Sequence, residues 1–409
     1  MKIEIISKPL DEINAKAMVL TVFEGENESI ELFDTFASKI TEKLKKLFSS
    51  KEVTGRYKEF TILHTDGFKA ERILIMGLGK RKDFTLERLR AVMAVAARNI
   101  RRINVSQMAV AEGFQDWGTT SEESACAIIE GINLGLYKFK KHHSGEQKSY
   151  KTIEELVIAV KDPAKLDEIS KGTEKGRILS DATNLARDLV NEPANFLTPD
   201  AFAKEALRVS TENNIKITVL GKEEIKDAGL NALLAVNAGS IEPPRFVIME
   251  YNGGKEDGKT LGLVGKGVTF DSGGLSLKPA DSMFRMHCDM AGAAAVLGAM
   301  KAISKQKLPI NVVGVMPLTE NLMDANSYKV GDVITSMEGK TIEILNTDAE
   351  GRLILADALT YIRKYKKIDY LIDIATLTGA IVMALGHFCS GAMTNNEELL
   401  SLVRKSGDI

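Results

Sequence analysis

Apolar runs of strand length alternate with longer stretches of helical periodicity through the first part of the chain. The N-terminal MKIEIISKPLDEINAKA alternates apolar and acidic residues, which predicts a strand and lacks the continuous apolar core of a signal peptide. AMVLTVF (17–23), TILHT (61–65), RILIMGLG (72–79), QMAVAEG (107–113) and LVIAV (156–160) are short, apolar and rich in β-branched residues, and predict further strands. Between them, 31–48 and 85–103 carry apolar residues at helical spacing, the second behind a Thr85 cap signal, and another helix precedes 156–160. Residues 161–185 are charged and then amphipathic, the pattern of a linking helix. A second series follows, with strands in KITVLG, RFVIMEY, TLGLVG, NVVGVMP, TIEIL and YLIDIA and helices in 201–214, 291–305 and 355–367. Strands alternating with helices bury both sheet faces. The expected fold class is α/β: two α/β domains with mixed, mostly parallel sheets flanked by helices, over 1–160 and 186–409, joined by the helix at 161–185.

Composition narrows the functional classes. The 409 residues are 44% hydrophobic and 27% charged with a net charge of −2, which excludes a disordered chain and gives no support for nucleic-acid binding through bulk charge. Cys126, Cys288 and Cys389 are far apart and form no CxxC pair, so neither thiolate zinc nor a disulfide framework is expected. Such cysteine usage fits a reducing compartment, and a cytoplasmic location is the expectation. No stretch approaches the roughly 18 apolar residues of a membrane span.

Two segments place polar residues where an α/β core should continue apolar. LGLVGKGVTFDSGGLSLKPADSMFRMHCDMAG (261–292) leaves a strand and delivers Lys266, Asp271, Lys278 and Asp289, and IEILNTDAEGRL (342–353) delivers Asp348, Glu350 and Arg352. If the second segment stays extended, alternate residues share a face and its two carboxylates and guanidinium enter one pocket. Both segments sit where open α/β sheets form pockets, beyond the carboxyl ends of strands. Four converging carboxylates repel one another, and two divalent cations would balance them. Taken singly, each residue has a plainer reading: Asp289 as a helix N-cap, Lys266 as an exposed turn residue, Asp271 as turn chemistry, and Asp348, Glu350 and Arg352 as the wet side of an edge strand. The glycines at 265 and 267 do not complete a dinucleotide fingerprint, because position 270 is Phe.

In combination, VGKGVTFDSGGLSLKP and NTDAEGRL resemble the signatures of the leucine aminopeptidase (cytosol aminopeptidase) family of dinuclear metallopeptidases. The intervals of five, seven, eleven and fifty-nine residues that separate Lys266, Asp271, Lys278, Asp289 and Asp348 agree with it. NEPANFLTP (191–199), VNAGSIEPPRF (236–246) and IDIATLTGA (372–380) extend the resemblance across the second half. It implies an aminopeptidase that releases N-terminal residues, leucine and other apolar ones preferentially, from peptides. Lys266, Asp271, Asp289 and Glu350 would hold the tighter of two zinc or manganese ions. Asp271, Asp348 and Glu350 would hold the more exchangeable one, with the Asp348 carbonyl. Lys278 and Arg352 would be the catalytic pair, Arg352 anchoring a bicarbonate, and Met286, Thr376 and Gly379 would line the substrate pocket. The resemblance further implies a homohexamer, and a chain that continues for tens of residues past Ile409. His287 departs from the family pattern, which has Lys at that position. Two other classes remain open: a non-catalytic relative, which intact ligands argue against, and a dinuclear phosphoesterase, whose sites recruit more histidines than the single His287 near this cluster.

Overall fold

A computed structural model describes residues 1–25, 38–65, 68–112, 117–145 and 152–408. The chain divides into two units, Met1–Asp181 with Ser406–Ile409, and Ala182–Lys405.

The first unit contains β1 (Lys2–Ile6), β2 (Ala17–Phe23), α1 (Ser38–Ser49), β3 (Phe60–His64), β4 (Arg72–Gly79), α2 (Leu86–Arg102), β5 (Gln107–Glu112), α3 (Ser121–Leu136) and β6 (Glu155–Val160). Its sheet runs β1-β6-β5-β2-β4-β3, parallel throughout except for the antiparallel β3–β4 pair. The central place of β2 in the sheet explains why it is buried at every position and apolar at all but Thr21. Val19 and Phe23 face a core shared with Leu89 and Val92 of α2 and Ile128 of α3. Met18, Leu20 and Val22 face the opposite core, with Ile40 and Leu44 of α1. Thr85 caps α2 as its sequence anticipates, accepting from Arg88 N. The helix expected over 31–48 is seen from Ser38 onward, and 31–37 lie outside the described residues.

The long α4 (Leu166–Asn191) contains the division between the units. It starts inside the charged 161–185 stretch but runs on to Asn191, because Leu185 and Leu189 are claimed by the second unit's core.

The second unit continues with α5 (Pro199–Asn213), β7 (Lys216–Leu220), α6 (Lys222–Asp227), α7 (Asn231–Asn237), β8 (Arg245–Asn252), β9 (Thr260–Gly265), β10 (Gly267–Asp271), α8 (Ala280–Met283), α9 (Ala291–Lys305), β11 (Asn311–Asn321), β12 (Val333–Thr335), β13 (Thr341–Glu343), α10 (Glu350–Tyr365), β14 (Tyr370–Ile374), α11 (Ala380–Leu385) and α12 (Glu397–Gly407). The main sheet runs β14-β9-β11-β8-β7, parallel from β14 to β11 and antiparallel beyond. Alternation again assigns the faces: Val247 and Met249 pack with α5 and α9, and Phe246 and Ile248 with α7 and α10. The TIEIL strand does not join this sheet. Among the described residues, Thr341–Glu343 pairs only with β12, in a separate two-stranded ribbon. Strand β11 is long enough to pair twice on one side, its first half with β9 and its last residues with β10. Lys266 is the joint between those two strands. Among the described residues, no helix is long and apolar enough to cross a membrane.

Candidate metal centre

The parallel strands β9, β10 and β14 all end on the same side, and Lys266 follows directly on β9. Its backbone is held from both directions: N donates to Ile374 O of β14 (3.0 Å), and O accepts from Ala293 N of α9 (2.8 Å). Helix α9 reaches this position because residue 292 is glycine; a Cβ there would lie 2.0 Å from Ile374 O. The side chain is therefore driven inward, and Lys266 is 2% exposed. Its ammonium lies 2.7 Å from Asp289 Oδ2 and 2.8 Å from Glu350 Oε1, and donates to Thr376 O at 3.0 Å. The Thr376 hydroxyl donates to Asp289 Oδ1 (2.7 Å) and fixes that carboxylate from the other side.

A second group forms one strand further along. Asp271 ends β10 and accepts through Oδ1 from Gly273 N and Asn321 Nδ2, both at 2.9 Å, while Oδ2 lies 2.9 Å from Lys278 Nζ. The chain turns back at Gly273 and Gly274, with φ of +87° and +64°, and Lys278 N donates to Ser272 O (2.9 Å). This return places the Lys278 ammonium against Asp348 as well. Asp348 lies in a single 3₁₀ turn, Thr347–Ala349, capped by Asn346, whose side chain accepts from Asp348 N (2.8 Å). Glu350 begins α10 immediately afterward. One carboxylate oxygen from each of Asp271, Asp348 and Glu350 falls within 4.8 Å of the others, so Glu350 belongs to both groups.

The electrostatics follow from burial. For Lys266, burial favours the neutral amine, but the Asp289 and Glu350 carboxylates outweigh it and hold the pKa above the ordinary value. Burial pushes Asp289 up to about 7, with Lys266 opposing and Glu350 reinforcing. It raises Glu350 too, against Lys266 and with repulsion from Asp271. Burial also works to lower Lys278, and the bonds to Asp348 and Asp271 overcome it, leaving its pKa raised. The site thus retains protons that a divalent cation would displace. Four carboxylates face two ammonium groups here, and Glu350 Oε2 is buried with no hydrogen-bond partner among the described residues. A compact oxygen-rich set with a surplus of negative charge and an orphaned oxygen fits divalent cations.

The structure corrects one line of sequence reasoning. Residues 348–352 are not extended. The 3₁₀ turn passes into α10, where positions two apart differ by roughly 200° around the axis. Glu350 is accordingly 1% exposed, whereas Arg352 faces solvent and makes none of the cluster's ion pairs. The plainer readings of Lys266, Asp289 and Glu350 also fail. Lys266 and Glu350 are buried, and Met290 rather than Asp289 holds the N-cap position of α9. Met286 and His287 lie half-buried on the short turn preceding Asp289, and Gly379 is exposed at the start of α11. Thr376, expected in a substrate pocket, spends its hydroxyl on Asp289. Three residues that the sequence reading does not single out complete the site: Asn321, Tyr328 and Thr347. Asn321 is signalled by the polar ending of the otherwise apolar β11, TEN at 319–321, and Thr347 by its place within NTDAEGRL, whereas Tyr328 carries no such signal.

Comparison with known proteins agrees with this arrangement. Residues 184–409 match the model of the cytosol aminopeptidase family catalytic domain, and residues 19–146 match that of the family's N-terminal domain. A probable cytosol aminopeptidase of Geotalea uraniireducens (strain Rf4) is 42% identical over 380 residues, 92% of this chain and 76% of that protein. One from Alkaliphilus oremlandii (strain OhILAs) is 38% identical over 98% of this chain and 80% of its own length. Among solved structures, the bottromycin maturation enzyme BotP in complex with Mn superposes with a TM-score of 0.83 at 33% identity, covering 96% of this chain and 79% of that one. A cluster built for divalent cations, on a chain matched by both family domains, makes this protein a member of the cytosol aminopeptidase family of metal-dependent peptidases.

Proposed function

We propose that the protein releases N-terminal residues from peptides at this cluster, with a preference for leucine and other apolar residues. Lys266, Asp271, Asp289 and Glu350 hold one divalent cation, and Asp271, Asp348 and Glu350 hold a second. The observation that carries this reading is the shared position of Glu350, whose carboxylate lies 2.8 Å from Lys266 Nζ through Oε1, offers an oxygen within 4.8 Å of oxygens of Asp271 and Asp348, and has in Oε2 an atom with no hydrogen-bond partner among the described residues. Zinc and manganese both suit such donors. The manganese in the BotP complex favours manganese as the first to test. When bound, the ions supply Lewis acidity and lower the pKa of water toward neutrality.

The protein's own residues do the rest. Lys266 would hold the ion through a neutral Nζ, its proton passing to solvent as the cation's charge takes its place between Asp289 and Glu350, and Thr376 keeps Asp289 aimed through its hydroxyl. Lys278, whose ammonium is shared by Asp271 and Asp348, is freed by the competing positive charge and donates to the oxyanion that develops on the scissile carbonyl. Arg352, exposed at the start of α10, would anchor a bicarbonate, which would supply a proton-carrying group beside the cluster. Met286 and Gly379 border the pocket for the N-terminal side chain. A homohexamer in the cytoplasm is the assembly and location that accompany this reading.

The test is a panel of leucine, alanine and glutamate peptides with free or acetylated N-termini, offered to chelated and to Mn²⁺- or Zn²⁺-reloaded protein. Hydrolysis confined to free N-termini and reloaded protein, fastest for leucine, is expected. Equal cleavage of acetylated peptides, or full activity after chelation, would refute the reading.

A further inference from the structure

Asn321 is completely buried at the end of β11, where it is the register partner of Asp271. Its Nδ2 makes two bonds, to Asp271 Oδ1 at 2.9 Å and to the Thr347 carbonyl at 3.1 Å. Both partners are acceptors, so the amide has one workable orientation; reversed, its oxygen would face two oxygens. The two bonds tie together segments far apart in sequence. One carries Asp271, and the other enters the turn that carries Asp348 and then Glu350.

Thr347 is the counterpart of this tie and is also fully buried. Its carbonyl accepts a second bond from the Tyr328 hydroxyl (2.6 Å). Its own hydroxyl donates to Gly273 O (2.6 Å) and accepts from Ser276 N (2.7 Å), and its N donates to Ser276 Oγ (3.1 Å). Every polar group of Thr347 is thus engaged with β11, with Tyr328 or with the loop that follows Asp271. On Asp271, Gly273 N and Asn321 Nδ2 occupy Oδ1, so Oδ2, which the Lys278 ammonium engages at 2.9 Å, is the oxygen an ion would take in exchange for that ammonium.

We propose that Asn321 is a positioning residue. It selects which oxygen Asp271 presents and sets the distance between Asp271 and the Asp348 turn, so that both reach one cation. This rests on reading Asp271, Asp348 and Glu350 as metal ligands. Groups behind the ligands orient them and contribute to affinity without touching the ion.

The experiment titrates Mn²⁺, and separately Co²⁺, into chelated wild-type, Asn321→Ala, Tyr328→Phe and Asp348→Ala proteins. Free Mn²⁺ is followed by electron paramagnetic resonance and the Co²⁺ site by visible absorption, with circular dichroism and thermal midpoints of the chelated proteins alongside. Asn321→Ala is expected to stay folded, to bind one of the two ions roughly 10- to 100-fold more weakly, and to give an altered Co²⁺ spectrum. Tyr328→Phe keeps the bond to Asp271 and removes one of the two on Thr347, so a loss of about 2- to 10-fold is expected. Unchanged affinity and spectrum in Asn321→Ala, with the ion lost in Asp348→Ala, would overturn the positioning role and leave the ligand assignment standing. Two ions retained at full affinity by Asp348→Ala would bring down the ligand assignment and this inference together. If Asn321→Ala does not fold, Tyr328→Phe decides: wild-type affinity and spectrum there overturn the role, and a weakened ion with an altered spectrum supports it.

Discussion

Glu350 carries more of the site than its neighbours, because it is the carboxylate shared by the Lys266–Asp289 group and the Asp271–Asp348 group. Glu350→Ala is therefore expected to lower the content of both ions and reduce turnover to background, where loss of Asp289 would spare the second group. Metal analysis beside peptide hydrolysis checks it, and two retained ions with near-normal turnover would contradict the assignment. Lys278 belongs to a different class. Its charge compensates Asp271 and Asp348 in the structure, yet its proposed role is toward the substrate. Lys278→Ala should retain both ions and lose roughly 10²–10³-fold in kcat, with little change in KM, as for removal of an oxyanion donor. If it sheds an ion instead, its part is structural. Lys266, Asp271, Asp289, Asp348 and Glu350 were all visible in the chain, because charged residues interrupt stretches that should stay apolar. Asn321 was not, since one polar residue at a strand end is ordinary until its partners are known.

Among the elements, α9 has the bounds its sequence suggests, Ala291–Lys305, and its small residues have a structural purpose. Gly292 lets the first turn approach β14, and a Cβ there would meet both Ile374 O and Lys266 N. Gly292→Ala should cost about 1–3 kcal/mol, as overpacking typically does, and should also disturb Lys266. Denaturant unfolding of the chelated protein measures the first effect and metal content the second; a variant of wild-type stability with both ions would show that the contact yields easily. The sequence pattern suggests extended chain from Asn346 into α10, where the structure has a 3₁₀ turn that passes into the helix. Only a few polar residues separate a two-residue-period pattern from a helical one, so periodicity had too short a window to register the turn. The cap on Asp348 N and the burial of Glu350 but not Arg352 decide it.

For the whole molecule, the division into two units predicts an uneven response to metal. The cluster lies entirely within Ala182–Lys405, so a cation at 100 times its Kd should stabilise that unit by about 2.7 kcal/mol. Calorimetry of chelated and Mn²⁺-loaded protein should show one transition move upward while that of Met1–Asp181 stays in place. A common shift of a single transition would mean that the units unfold together. The amino-acid pattern alone specified the alternation of strands and helices, because each short segment must bury its apolar side whatever its distant partners are. It marked out the candidate ligand residues too, because charged side chains interrupt stretches that should stay apolar and do so at intervals that match the family signature. What only tertiary structure decided was which of them meet. Strand β11 pairs with β9 and then β10, with Lys266 at the joint, and that long ladder brings Asp289, Asp348 and Glu350 to the same place. Such contacts depend on register and helix packing across distant segments, which no local pattern encodes.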